Sequence, residues 1–370
     1  MNILFITNTL PPVVDGVGDY TLNLAKEFAK HGHKVSIVCK RNDRVKTDYE
    51  DIRVFPIVDT WNKAAAHPVI RLIQEKHINV VSLQYVPHGY DNRGLPFAIA
   101  YLAAQIRKID VPLYTFFHEV CIGKGKWYQI YHNIGALLME LIAKKIALNS
   151  TFVSTSIEHY KKRLNALCID KVSLIPIPSN VPDVYTNDLE KSQLKESIAC
   201  KGDTIITLFG NRDFSLVVDA IKAIRMDGTK IKVLALGKAN PSIPKEDFIF
   251  FTGPMEIELL AVYLQISDIL ILPEDPLSGC SLKSGSLAAA LQFGIPTITN
   301  SGFMTDERLS DLFLFSKENT VEEYKTLINK LINSRELADQ LRNNSMAFAK
   351  HLTWKAVYDN YINSLVEFKA

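Results

Sequence analysis

Cysteine is scarce in this chain and unpatterned. Among 370 residues, Cys39, Cys121, Cys168, Cys200 and Cys280 are an odd, widely spaced set with no C-x-x-C pair, which excludes a disulfide framework and reads as reduced thiols of a cytosolic protein. No run reaches the roughly 18 apolar residues that a membrane-spanning helix needs. The opening MNILFITNTLPPV has no basic leader and fits a first core strand better than a signal peptide. Neither charge sign dominates: 42 basic residues face 40 acidic ones, a net of +2, so no nucleic-acid partner is expected. The chain also lacks a D-x-D pair for a divalent metal, a His/Cys cluster with zinc spacing and a G-x-S-x-G nucleophile turn, so the expected metal complement is none. A cytoplasmic protein is expected, with peripheral contact at the inner face of a membrane left open.

What is present is an alternation of apolar strand-like runs with helical periods over nearly the whole length. Its apolar and charged fractions, 47% and 22%, are those of globular proteins. Strands are expected near 2–7, 34–39, 52–57, 79–84, 112–117, 152–154 and 172–175, then near 204–209, 232–236, 248–251, 268–272 and 296–299. A helix over about Gly18–Lys30 presents Leu22, Ala25, Phe28 and Ala29 on one face and stops at Gly32. Strand–helix alternation implies parallel βαβ units, and 370 residues exceed one core. The fold expected is α/β, two doubly wound Rossmann-like domains facing across a cleft. The polar stretch 178–203 holds the boundary, giving domains 1–185 and 186–350, with 351–370 a helix crossing back to the first.

Ligands in such sheets bind beyond the carboxyl ends of the strands. The most informative such turn is ILPEDPLSGCSLKSGSLAAALQFGIPTI, from Ile271. Gly279, Ser281, Lys283, Ser284, Gly285 and Ser286 there combine a cation, hydroxyls and a helix N-terminus, which suits an anion such as a phosphate. In the first half, Asp15, Gly16, Gly18, Asp19 and Tyr20 follow a strand and open a helix, where glycines permit close backbone approach; a plain tight turn is the bland alternative. A nicotinamide site is rejected, because Thr21 stands where the third glycine of G-x-G-x-x-G belongs and the second strand ends in Lys40 and Arg41 without an acid. His118 and Glu119 close the strand PLYTFFHEV, and Gln84 and Tyr85 close NVVSLQY, so all four belong at a strand-end mouth. A core histidine bonded to backbone is the competing reading for His118. Lys144, Lys145, Lys161, Lys162, Arg163, Lys124 and Lys126, with Trp127, Tyr128 and Tyr131, could touch anionic headgroups; solvated helix faces are the plainer reading.

Across essentially its whole length the chain resembles the retaining glycosyltransferases of the two-domain GT-B fold, among them bacterial hexosyl- and mannosyltransferases acting on lipid and polysaccharide acceptors. The resemblance rests on PPVVDGVGDYTLNLAKEFAKHGHKVSIV, FFHEV, LIPIPSNVP, LFGNRD, FTGPM, GSLAAALQFGIPTIT and the closing TWKAVYDNYINSL with Trp354. It implies transfer of a hexose from a nucleotide diphosphate sugar to a hydroxyl of a glycan or lipid-linked acceptor, with retention, with no cofactor and no metal. By the same resemblance Gly16, Gly18, Gly210, Arg212, Lys238 and the serine turn hold the donor, Asp15, Tyr20, Gln84 and Glu119 lie by the acceptor, and His118 and Asp19 are catalytic. The chain departs from the family at two places. No lysine follows Arg212 within a few residues, leaving Lys238 or Lys283 as second cation. The family's glutamate pair falls on Ser281 and Ala289, with Glu274 and Asp275 upstream as partial substitutes. A catalytically silent relative that binds a nucleotide, a glycan or a partner is the alternative.

Overall fold

The computed structural model describes residues 1–121, 123 and 130–369. Lys124, Lys126, Trp127 and Tyr128 lie outside them. Contacts divide the chain into one unit of Met1–Pro176 with Trp354–Ala370, and a second of Ile177–Thr353.

The first unit holds β1 (Asn2–Ile6), α1 (Gly16–Lys30), β2 (Lys34–Lys40), β3 (Asp48–Tyr49), β4 (Ile52–Val58), α2 (Ala66–Glu75), β5 (Val80–Tyr85), α3 (Pro87–Tyr90), α4 (Phe97–Lys108), β6 (Leu113–Phe117), α5 (Ile130–Leu148), β7 (Phe152–Thr155), α6 (Glu158–Ala166) and β8 (Val172–Leu174). Its sheet runs β3-β4-β2-β1-β5-β6-β7-β8, parallel except for the antiparallel β3–β4 pair. Central strands read as unbroken apolar runs because helices cover both faces: Ile3, Leu4, Phe5 and Ile6 are all buried. α1 begins at Gly16 and not Gly18, because the Asp15 side chain caps it, accepting from Val17 N at 3.3 Å and Gly18 N at 3.2 Å.

The second unit holds α7 (Asp188–Ile198), β9 (Thr204–Phe209), α8 (Ser215–Met226), β10 (Ile231–Leu236), β11 (Ile249–Phe251), α9 (Ile257–Gln265), β12 (Ile269–Leu272), α10 (Gly285–Gln292), β13 (Thr297–Asn300), β14 (Leu314–Ser316), α11 (Val321–Asn333) and α12 (Arg335–Ala349). Its sheet, β11-β10-β9-β12-β13-β14, is parallel throughout. Ile206, Leu208, Ile221, Ile271, Ile298 and Tyr324 form part of its core. Strand order reverses between β9 and β12, the position where an open parallel sheet leaves a crevice.

The boundary expected at 185/186 falls earlier, between Pro176 and Ile177. Backbone and side-chain bonds tie the polar stretch to the second unit: Ile177 N donates to Leu282 O at 3.2 Å, Gln292 to Val181 O at 3.1 Å and Gln265 to Val184 O at 2.8 Å. The stretch also contains α7, whose Lys195 meets Asp268 at 2.8 Å. The last helix, α13 (Trp354–Lys369), clusters with the first unit. Tyr358 stacks on His31 at 4.1 Å and meets Phe28 at 4.9 Å, while Tyr361 stacks on Tyr114 at 3.9 Å.

Candidate functional site

In the second unit the chain leaves β9 through Gly210, at φ 93°, where a side chain would collide with the Arg212 guanidinium. The glycine therefore makes room for the arginine to fold back. Nη1 of Arg212 donates to Phe209 O at 3.1 Å and to Ser286 Oγ at 3.4 Å, and Nη2 donates to Ser284 Oγ at 3.3 Å. Asn240 holds the arginine's own carbonyl at 2.7 Å. Ser284 is also the cap of α10, accepting from Leu287 N at 3.4 Å. A guanidinium thus lies against a helix N-terminus, two positive features that would repel if left alone. Glu274, at the end of β12, offsets them, its Oε1 taking Nη2 at 2.6 Å and Nε at 3.2 Å. One carboxylate opposite a guanidinium, a helix end, two hydroxyls and the half-buried Lys283 leaves a locus suited to a doubly charged anion.

A cavity of ≈ 360 Å³ opens beside Arg212 and Glu274, reaching Asn319 and Tyr324. Its polar wall is fixed from behind, with the Tyr324 hydroxyl donating toward Asn300 at 3.1 Å and Asn319 at 2.9 Å. A second, ≈ 500 Å³, is lined by Gly237, Asn240, Phe251 and Gly253. Both fall within the usual size of small-ligand sites. Lys238 is exposed next to the second. Sequence reasoning missed Asn300, Asn319 and Tyr324, which form no motif, and Asn240, whose role depends on where Arg212 turns.

The serine turn does not act as one cluster. Gly279 is a glycine for packing, since a side chain there would strike the backbone of Gly302, where Phe303 N reaches Leu277 O at 3.0 Å and Met304 N reaches Ser278 O at 2.9 Å. Ser281 is buried, and Ala289 is fully so; neither presents a group to a ligand. Gly285 has open space above its Cα. Asp275 does not substitute for a missing glutamate, because its carboxylate accepts from Ser278 N at 2.9 Å and Leu277 N at 3.1 Å to close its own turn; the Ser278 backbone bond is the main reason its pKa lies below the usual carboxylate value.

In the first unit Tyr20, Gln84 and His118 meet, but in the interior. Tyr20 is 1% exposed and Gln84 0%, which corrects the expectation that they touch an acceptor: the Tyr20 ring is enclosed by Phe116 at 5.1 Å, His118 at 4.8 Å and Trp354 at 5.2 Å. Tyr85 is likewise buried. The Gln84 amide nitrogen donates to Ser82 Oγ at 2.8 Å and Tyr361 Oη at 3.3 Å, so its Oε1 faces His118 Nε2 at 2.9 Å as acceptor. The proton therefore sits on Nε2, and Nδ1 is the acceptor nitrogen. Burial pushes the His118 pKa down to about 3, which keeps the ring neutral at physiological pH. Gly18 is packed against the Thr9 carbonyl, 2.6 Å from where a Cβ would sit, whereas Gly16 is open. The Asp15 carboxylate is committed to capping α1 and to Thr9 Oγ1 at 2.7 Å. Asp19 and Glu119 are half-buried, and burial, then the Asp15 charge, raises the Asp19 pKa.

Residues 14–176 match the family model described as Glycosyltransferase Family 4, a span within the first unit. No curated protein matches the chain by sequence. Among solved structures it is similar to a sucrose-phosphate synthase from Thermosynechococcus elongatus, at 14% identity over 100% of both chains with a TM-score of 0.74. It is also similar to the Anabaena protein HepE solved with UDP and glucose, at 13% identity over 99% of this chain and 100% of that one, TM-score 0.69. A UDP-N-acetylglucosamine 2-epimerase matches at 11% identity over 93% and 90%, TM-score 0.58. The chain thus has the GT-B fold, and the glycosyltransferase family match covers residues 14–176. The epimerase shows that the fold does not by itself select the reaction.

Proposed function

We propose that this protein is a glycosyltransferase that moves a hexose from a nucleotide diphosphate sugar to a hydroxyl of a glycan or lipid-linked acceptor, with retention and without a divalent metal. The observation that carries the reading is Arg212 laid over the capped N-terminus of α10 with Ser284 and Ser286 in reach. A leaving diphosphate would take over the guanidinium from Glu274 and gain the hydroxyls and helix end, which stabilise charge as it develops. The nucleoside would occupy the cavities on either side of Arg212. His118, neutral, buried beside Tyr20 and with Nε2–H given to Gln84, would play its catalytic part by positioning the acceptor wall and not by proton donation. Asp19, Asp15 and Glu119 would line the acceptor end, Gly16 and Gly18 would lie under the transferred sugar and the donor diphosphate, and Lys238 or Lys283 would supply the second cation.

The test is calorimetry with nucleoside diphosphates in excess chelator. Binding should persist, and Arg212→Ala and Lys283→Ala should each weaken it by roughly tenfold or more, the worth of a charge-assisted hydrogen bond of about 1.5–3 kcal/mol. Affinity unchanged in both variants would remove the donor site from this turn, and binding that needs magnesium or manganese would restore a metal-bridged donor.

A second reading has its own observation. Ser281 and Ala289 are both interior, so no carboxylate could stand at either place without disturbing the core. A silent relative that binds the nucleotide without transfer follows if every nucleotide sugar binds but none is hydrolysed or transferred.

A further inference from the structure

A third cavity, of ≈ 550 Å³, opens in the first unit between the last two turns of α1 and the β3–β4 hairpin, with Lys26, Lys30, Lys46, Tyr49, Glu50 and Asp51 around it. It stands at the opposite edge of the sheet from Asp19 and His118. β1, β2 and β4 run parallel, and α1 returns from the carboxyl end of β1 to the start of β2. Its last residue, Lys30, therefore lies by the amino ends of the strands, where Lys34 N donates to Met1 O at 2.9 Å. The turn Glu50–Asp51 precedes Ile52, which pairs with Val35 near the start of β2, and so belongs to the same edge. Ligands of an open parallel sheet gather at the carboxyl edge, so this cavity is a separate place, of a size that holds a small molecule.

The charges around the cavity decide what it takes. Lys26 and Lys46 have no acidic partner among the described residues, and Lys30 has only Glu27 at 3.9 Å. Lys26 and Lys30 are four residues apart on one helix face, two like charges that repel unless an anion comes between them. Lys46 is carried on an anchored loop: Val45 beside it is buried, and Val54 N donates to Thr47 O at 2.8 Å. Its ammonium stands 5.1 Å from the centre of the Tyr49 ring, so cation and aromatic surface meet in the same space. Glu50 and Asp51 are exposed at the rim. An inorganic anion would use the lysines alone and be repelled by these two carboxylates. A sugar with one acidic group would use the whole wall: its acid between the lysines, its ring against Tyr49, its hydroxyls donating to Glu50 and Asp51.

We propose that this cavity is a binding site for an acidic sugar, a pyranose carrying a phosphate or a carboxylate, distinct from the site around Arg212. It stands independently of the reaction assigned above. The full chain is titrated with glucose 6-phosphate, glucuronate, glucose and inorganic phosphate, and binding is read by saturation-transfer NMR. Glucose 6-phosphate or glucuronate should bind more tightly than glucose, and the two together tell phosphate from carboxylate. Lys26→Ala with Lys46→Ala should weaken that binding by about fivefold or more, with the melting temperature and the affinity for a nucleoside diphosphate unchanged, because both lysines are exposed. Glu50→Gln with Asp51→Asn separates a built site from plain attraction to lysines: the acidic sugar should bind more weakly and inorganic phosphate more tightly. Failure of both acidic sugars to bind, or tighter binding of the sugar in the Glu50 and Asp51 variant, overturns the proposal. So does loss of the sugar signal in Arg212→Ala, which would assign the probe to the turn before α10.

Discussion

Arg212 is only 12% exposed and its partner Glu274 21%, so the pair is screened less than a surface salt bridge and its loss is felt in both stability and binding. Glu274 competes with any anion for the same guanidinium nitrogens. Glu274→Gln should therefore tighten binding of a nucleoside diphosphate several-fold while lowering the melting temperature slightly, measured by calorimetry and thermal denaturation on the same preparation. Weaker binding in that variant would mean that Glu274 contacts the ligand and does not compete with it. His118 gives a second residue-scale expectation. Its folded pKa, about 3, lies below the 6.5 of an ordinary histidine, so the stabilisation from keeping it neutral is present above about pH 6.5 and is lost progressively as pH falls toward 3. The wild type should lose melting temperature on acidification more steeply than His118→Gln, and parallel slopes would show that other groups govern the acid limb. Arg212 and the hydroxyls of α10 were legible in the sequence because strand-end glycine, arginine and serine are chemically specific. Tyr20 and Gln84 were misplaced for the opposite reason: a strand-end position says nothing about whether α13, distant in sequence, will cover it.

At the scale of elements, α13 is what closes the first unit. Tyr361 is fully buried and takes a hydrogen bond from Gln84 at 3.3 Å, so it fixes the amide that in turn fixes the His118 tautomer. Tyr361→Phe should keep the ring stacked on Tyr114 but leave the Gln84 amide one acceptor short, a cost of about 1 kcal/mol. The chemical shifts of the His118 ring nitrogens should move toward a mixture of tautomers, a change that a purely packing role for Tyr361 would not produce. The strands themselves were read to within a residue or two, since parallel strands covered on both sides are continuous apolar runs. β3 and β14 escaped because two and three residues carry no periodicity. α7 escaped because its polar sequence, DLEKSQLKESI, reads as linker until the docking of Lys195 on Asp268 is seen. The capping box of Asn187 and Glu190, bonded at 2.9 and 3.1 Å, was the signal that could have revealed it.

Over the whole molecule, the two units differ in how the chain makes them. The second, Ile177–Thr353, is continuous in sequence, whereas the first needs Trp354–Ala370 to return to it. A fragment of residues 177–353 keeps its sheet, its core and every residue around Arg212 named above, so it should fold cooperatively and bind a nucleoside diphosphate with affinity near that of the full chain. A fragment of residues 1–176 loses Trp354 over Tyr20, Tyr358 over Phe28 and Tyr361 over Tyr114, together with the acceptor for Gln84. Removing three aromatic side chains from such a surface costs several times the roughly 1.5–3 kcal/mol of burying one, against a total stability of about 5–15 kcal/mol. That fragment should be unfolded or molten by circular dichroism, and adding a peptide of residues 354–370 should restore part of its structure. Calorimetry on the first fragment then locates the donor: binding retained by 177–353 and lost in its Arg212→Ala form assigns the diphosphate to this unit alone. A well-folded 177–353 that binds no nucleotide would move the donor site out of the second unit, and with it the transferase reading built on Arg212.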